Sequence, residues 1–160
     1  MRKIIVAAAA AAAICSCSSV DCPVQNTVYT VYDVYSRAGV ADTLRDTLTV
    51  STTRRDGTDS VLLNRISKVT TFDLPISYND PEDTLFFEFK DNTSYTLDTV
   101  YIKKDNFPHF ESVDCNISFF HNITGVRHTR NIIDSIAINK QSVDYDASTE
   151  HFHIYFKARD

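Results

Sequence analysis

Glycine is close to missing from this sequence: 160 residues carry three, Gly39, Gly57 and Gly125. Isolated glycines cannot form a dinucleotide-binding fingerprint, a P-loop or a nucleophile elbow, each of which needs glycine clustered at a strand-to-helix turn. Tryptophan is absent, and only four acidic residues are glutamates, which leaves few candidates for a glycosidase-type carboxylate pair. Positive charge is in deficit, with 16 basic residues against 21 acidic ones for a net −5. That balance argues against a nucleic-acid partner, which calls for a basic face. No apolar run reaches the roughly 20 residues that cross a bilayer as a helix. Within those limits, the length and the 43% hydrophobic content suit one globular domain, able to bury about two-thirds of its unfolded surface.

The N-terminus holds the clearest motif. Met1-Arg2-Lys3 is basic, and Ile4 to Ile14 is an uncharged apolar run of the size a secretory signal peptide requires. The next residues, Ile14-Cys15-Ser16-Cys17, resemble the bacterial lipobox: an aliphatic residue at −3, a small one at −1, then the cysteine to be acylated. Cys17 fits that place, whereas Cys15 would put the bulky Ile14 next to the cut. The expected organisation is a lipoprotein signal peptide over 1–16, a lipidated tether over 17–25 and a domain over 26–160. The expected partners are the membrane, through lipid on Cys17, and an envelope protein. Removing residues 1–16 leaves 14 basic residues against 21 acidic ones. Lipid rather than charge would therefore hold the body to the membrane, at about 0.8 kcal/mol per buried methylene. Ser18, rather than an inner-membrane retention aspartate, points to the outer membrane. The single acid in Ser18-Ser19-Val20-Asp21 favours the periplasmic side over the cell surface.

With Cys15 removed and the Cys17 thiol consumed by lipid, Cys22 and Cys115 remain for an oxidising compartment. A disulfide between them is expected, with free thiols or a metal pair as alternatives. Cys115 shares the parity of Ile117 and Phe119 in a predicted strand, which places the bridge in the core.

Beyond Pro23 the dominant pattern is alternation of apolar and polar residues, the period of a half-buried strand. Leu44, Leu48 and Val50 oppose Arg45, Thr47 and Thr49, with Asp46 breaking the apolar side. Ile66, Phe72, Leu74, Ile76 and Tyr78 share one parity, as do Leu85, Phe87 and Phe89, and Phe152, Ile154 and Phe156. Further strands are predicted over 28–35, 95–103, 113–121 and 132–138. Turns are predicted at Asp56-Gly57, Asn79-Asp80-Pro81, Asp91-Asn92 and Asp105-Asn106. The fold class expected is all-β, a single antiparallel immunoglobulin-like β-sandwich of about eight or nine strands. Its predicted core contains Phe72, Leu74, Phe87, Phe89, Ile117, Phe119 and Phe152.

Several segments taken together suggest a family. They are Asp21-Cys22-Pro23, Phe72-Asp73-Leu74-Pro75, Val113-Asp114-Cys115, the strand 132–138 and the closing His151-Phe152-His153-Ile154-Tyr155-Phe156. They resemble a family of small Bacteroidota lipoproteins of unknown function, which carries a Ser-x-x-Cys-like segment late in the chain and ends in a histidine-bearing strand. Ser112 and Cys115 occupy the first of these features, and Asn116 stands where a glycine is expected. The resemblance covers most of 17–157 and implies an envelope location and a β fold. It carries no catalytic residue across.

Other constellations point to chemistry only weakly. His151 and His153, two apart on one strand, would share a face and could bind one metal with a third ligand from His109, His121, His128 or Glu150. A solvated strand face is the simpler reading. Asp56-Gly57-Thr58-Asp59 and Asp144-Tyr145-Asp146 lack the ligand spacing of a calcium loop and read as turn acids. Tyr29, Tyr32, Tyr35, Phe86 and Tyr101 form either an aromatic platform or core and sheet-face packing. Asp followed by Ser or Thr and then by an aliphatic residue begins at Asp42, Asp46, Asp59, Asp83, Asp98 and Asp134, more often than composition alone gives. The triplet resembles the O-glycosylation acceptor of Bacteroidota, with Thr43, Thr47, Ser60, Thr84, Thr99 and Ser135 as the acceptors. The same triplet also describes an Asp turn opening a strand. No cofactor and no enzymatic activity are expected. The expected function is that of a membrane-anchored accessory or interaction module of the cell envelope. An adhesin or pilus-associated subunit, or a glycan- or metal-binding lipoprotein, is the alternative.

Overall fold

Ten strands account for the chain in the computed structural model, which describes Cys22 and residues 27–54 and 56–157. They are β1 (Tyr29–Ser36), β2 (Thr47–Thr53), β3 (Asp59–Ile66), β4 (Thr71–Pro75), β5 (Glu82–Lys90), β6 (Tyr95–His109), β7 (Ser118–His128), β8 (Ile133–Ile138), β9 (Ser142–Val143) and β10 (Phe152–Phe156). No helix occurs among the described residues. The all-β expectation therefore holds, with a slightly higher strand count. A four-stranded sheet has the order β4-β1-β10-β8, and a six-stranded sheet the order β3-β2-β5-β6-β7-β9. Antiparallel pairing prevails except between β1 and β10, which run parallel with Tyr32 opposite Phe152. Those two strands come from opposite ends of the domain, so no hairpin dictates their direction.

Alternation put the right side chains between the sheets. Tyr32 lies opposite Phe72 on one neighbour and Phe152 on the other, and its ring stacks on both, at 5.0 and 4.9 Å. Phe87 of β5 crosses from the second sheet to meet Tyr32 and Phe72 edge-on at 6.2 and 6.3 Å. Each such pair adds about 0.5–1.5 kcal/mol beyond the area it buries. Burial drives the Tyr32 hydroxyl far above its ordinary pKa, so it stays protonated, with the Thr30 hydroxyl 3.4 Å away.

Four expectations need correction. Ile117 is exposed and Phe119 only half-buried, stacked on Tyr78 at 4.5 Å, so neither belongs to the core. Asp105-Asn106 is no turn: β6 runs through it, displaced by a bulge at Lys103–Lys104. β7 starts at Ser118 rather than near Val113, because Ser112 turns the chain by accepting hydrogen bonds from Asp114 and Cys115. Ile66 closes β3 instead of opening the next strand. There Arg65 takes a left-handed conformation (φ 55°), and the register against β2 shifts twice, which erases the period of two.

Two buried polar groups fix the connections between sheets. The Asp98 carboxylate accepts hydrogen bonds from the Thr129 hydroxyl and from the Asn131, Ile132 and Ile133 amides, at 2.7–2.9 Å. Burial opposes its ionisation, yet these donors hold the carboxyl below its ordinary range. The β7–β8 crossover is thereby locked onto β6. At the β4–β5 crossover, the fully buried Lys104 pairs with Asp83 at 2.7 Å and donates to the Asp80 carbonyl at 3.1 Å. Burial pushes the Asp83 carboxyl up, and Lys104 and the Ser77 amide oppose that push. Beside them His121 bonds Asn106 at 2.7 Å, and burial together with the Lys104 charge lowers its pKa to about 4, keeping it neutral.

Removing one member of a buried pair strands the other without compensation. Lys104→Met is expected to cost about 3–5 kcal/mol in urea unfolding, and the Lys104→Met/Asp83→Leu double variant to recover more than half of that. Equal losses in the single and double variants would contradict the assignment.

Candidate functional site

The loop between β1 and β2 leaves a cleft of about 500 Å³ at one end of the sandwich. Its floor is Leu44, Phe89, Ile132 and Phe156, brought together from both sheets, with Phe89 and Phe156 edge-on at 5.6 Å. Its mouth carries Arg37, Arg45, Lys157 and Asp42, with the buried Asp46 also lining it. Arg37 lies 3.7 Å from Asp134, Arg45 lies 3.9 Å from Asp42, and Lys157 donates to the Arg130 carbonyl. An apolar floor under a charged mouth is the chemistry of an amphipathic guest. Among the described residues no histidine or cysteine lines it, and the Ser36 hydroxyl donates to the Val40 carbonyl. No sequence pattern announced this cleft, because its walls come from segments more than 100 residues apart.

The opposite end holds the β6–β7 hairpin. The last β5–β6 pair is Glu82 with Lys103, so β6 continues for six residues beyond β5, paired there with β7. At its turn lies Cys115, joined to Cys22 with the two Cα atoms 5.4 Å apart. The expected bridge is present and its expected place is not. Cys22 is exposed and Cys115 half-buried, so the staple joins the N-terminal segment to a hairpin turn rather than to the core.

The remaining sequence candidates disperse. Cys17 lies outside the described residues. His151 is fully buried, its Nδ1 accepting the Val31 amide at 3.1 Å, and burial lowers its pKa. Among the described residues its Nε2 has no hydrogen-bond partner. His153 sits on the outer face of the four-stranded sheet beside Tyr35 (4.7 Å) and 3.2 Å from Glu150. The two histidines thus do not share a solvated face. No group of three or more His, Cys, Asp or Glu is placed to hold a metal among the described residues. The suspected calcium acids are bound to their own turns: Asp56 accepts from Thr58, and Asp144 from the Asp146 amide. The aromatic set is split, with Tyr32 in the core and Arg127 stacked over Tyr101 at 3.5 Å. Of the O-glycosylation candidates, Thr47, Ser60, Thr84, Thr99 and Ser135 are half-buried within strands, and Thr43 alone is exposed outside one.

These features define an all-β, two-sheet protein with a disulfide-stapled hairpin at one end and an apolar cleft at the other. A family model, described as a family of unknown function (DUF6452), matches residues 47–156, and the chain belongs to that family. The match runs from the start of β2 to the end of β10 and leaves out β1 and Cys22. No curated protein and no solved structure matches the chain significantly.

Cys115 lies at a hairpin turn outside the core, so Cys115→Ser is expected to act mainly through loss of the closed loop. The expected loss is about 2–4 kcal/mol, or roughly 5–15 °C in Tm. Alkylation of the unfolded, unreduced protein followed by digestion should leave Cys22 and Cys115 unmodified and joined in one linked peptide. Alkylation of both before reduction would refute the bridge.

Proposed function

We propose that this protein is a lipid-anchored accessory module of a Bacteroidota-type cell envelope, held on the periplasmic side of the outer membrane and binding an envelope protein without catalysing a reaction. The observation that carries the reading is the spacing of two cysteines: Cys17 completes the lipobox, and Cys22, five residues on, is bridged to the folded domain. A lipid on Cys17 would thus be tied to the sandwich by a covalent staple. The acidic composition supports attachment by lipid rather than by charge. The apolar floor of the cleft under charged side chains supports a binding role. Thr43, on an exposed loop, is the proposed position for an O-glycan.

The test is metabolic palmitate labelling joined to purification from crosslinked membranes. The parent protein is expected to carry label and to bring down a specific envelope protein. Cys17→Ala is expected to accumulate as unprocessed, unlabelled precursor. Continued labelling of Cys17→Ala would overturn the anchor, and recovery of no specific protein would overturn the accessory role.

A further inference from the structure

We infer that the turn of the β6–β7 hairpin is a membrane-contact surface, dipping its apolar side chains into the lipid interface beside the anchor; this rests on the lipid-anchor reading above. Phe107, Phe110, Val113 and Ile117 are exposed at 52%, 64%, 100% and 45%, four large apolar side chains within eleven consecutive residues. Tyr78 and Tyr145, also exposed, flank them: Tyr78 stacks on Phe119 at 4.5 Å, and Tyr145 meets Phe120 edge-on at 4.9 Å. Large apolar side chains gathered in exposed positions at one hairpin tip mark a binding surface.

The length of chain to the lipid site identifies the occupant. Cys22 stands five positions after Cys17, a reach of at most about 18 Å when fully extended. Cys22 is bridged to Cys115 in the middle of the apolar stretch. The turn therefore stays close to the bilayer whatever the body does. The far end of β6, at Tyr95, stands fourteen residues from His109, roughly 46 Å at strand rise. Charge selects the kind of lipid. Residues 105–126 hold three acids, Asp105, Glu111 and Asp114, and no lysine or arginine. The contact is thus apolar, suited to zwitterionic headgroups and insensitive to salt, unlike a basic peripheral patch.

The chain lacks tryptophan, so one introduced tryptophan reports its own surroundings. Val113→Trp probes the turn. Val40→Trp probes a second solvent-facing site, 64% exposed, on the β1–β2 loop at the cleft end. Each full-length variant is processed in a lipoprotein-competent host, its lipid verified by intact mass, and reconstituted in phosphatidylethanolamine–phosphatidylcholine vesicles with or without brominated acyl chains. Bromine is expected to lower Val113→Trp emission at least about twofold and to leave Val40→Trp unchanged, in low and high salt alike. Equal quenching of the two variants with lipid present would overturn this inference and leave the anchor intact, with a protein partner or a second copy then the occupant of the patch. Absence of lipid on Cys17 would overturn both.

Discussion

Tyr32 is the side chain on which the two sheets depend. It draws Phe72 and Phe152 into one stack because the register sets all three directly opposite one another, and Phe87 closes the stack from the facing sheet. Three segments separated by up to 120 residues thereby share one contact, and β1 becomes an inner strand between β4 and β10. The consequence reaches the domain boundary. The family match begins at β2, yet the core requires β1. Pairings of such long sequence separation also make folding slow relative to proteins built of hairpins.

The polar groups inside the fold act where the chain changes sheets. Asp98 gathers four donors from the β7–β8 connection, and Lys104 with Asp83 straps the β4–β5 connection. A crossover leaves backbone amides without sheet partners, and a buried carboxylate satisfies several at once. This also explains the Asp-Thr and Asp-Ser triplets at Asp83 and Asp98, whose acids serve the fold while Thr84 and Thr99 lie within strands. At both ends the body is left open: the cleft at one, the stapled hairpin at the other.

Much of this was legible in the residues. Phe87, Phe89, Leu74, Phe152 and Ile154 follow the period of two, and the structure buries each of them. The Cys22–Cys115 pairing follows from setting aside Cys15, in the expected signal peptide, and Cys17, the expected lipid site. Val113, Cys115, Ile117 and Phe119 imitate a buried strand face, while in the fold the first three lie in the turn before β7 and Phe119, on β7, is only half-buried. β3 was missed because the left-handed Arg65 and two register shifts destroy alternation. His151 read as solvated because its position just before β10 hides that its ring packs against the backbone of β1. The cleft left no local trace, since only the meeting of both sheets creates it.

Native-state hydrogen exchange read residue by residue tests the central claim, that β1 and β10 join Phe72 and Phe87 in one cooperative core. The account predicts that the amides of Tyr32, Val34 and Ile154 exchange only through global unfolding, with a free energy equal to that from denaturant, while amides of residues 110–117 exchange by local opening. Exchange of the β1 amides as fast as those of the hairpin turn would contradict it.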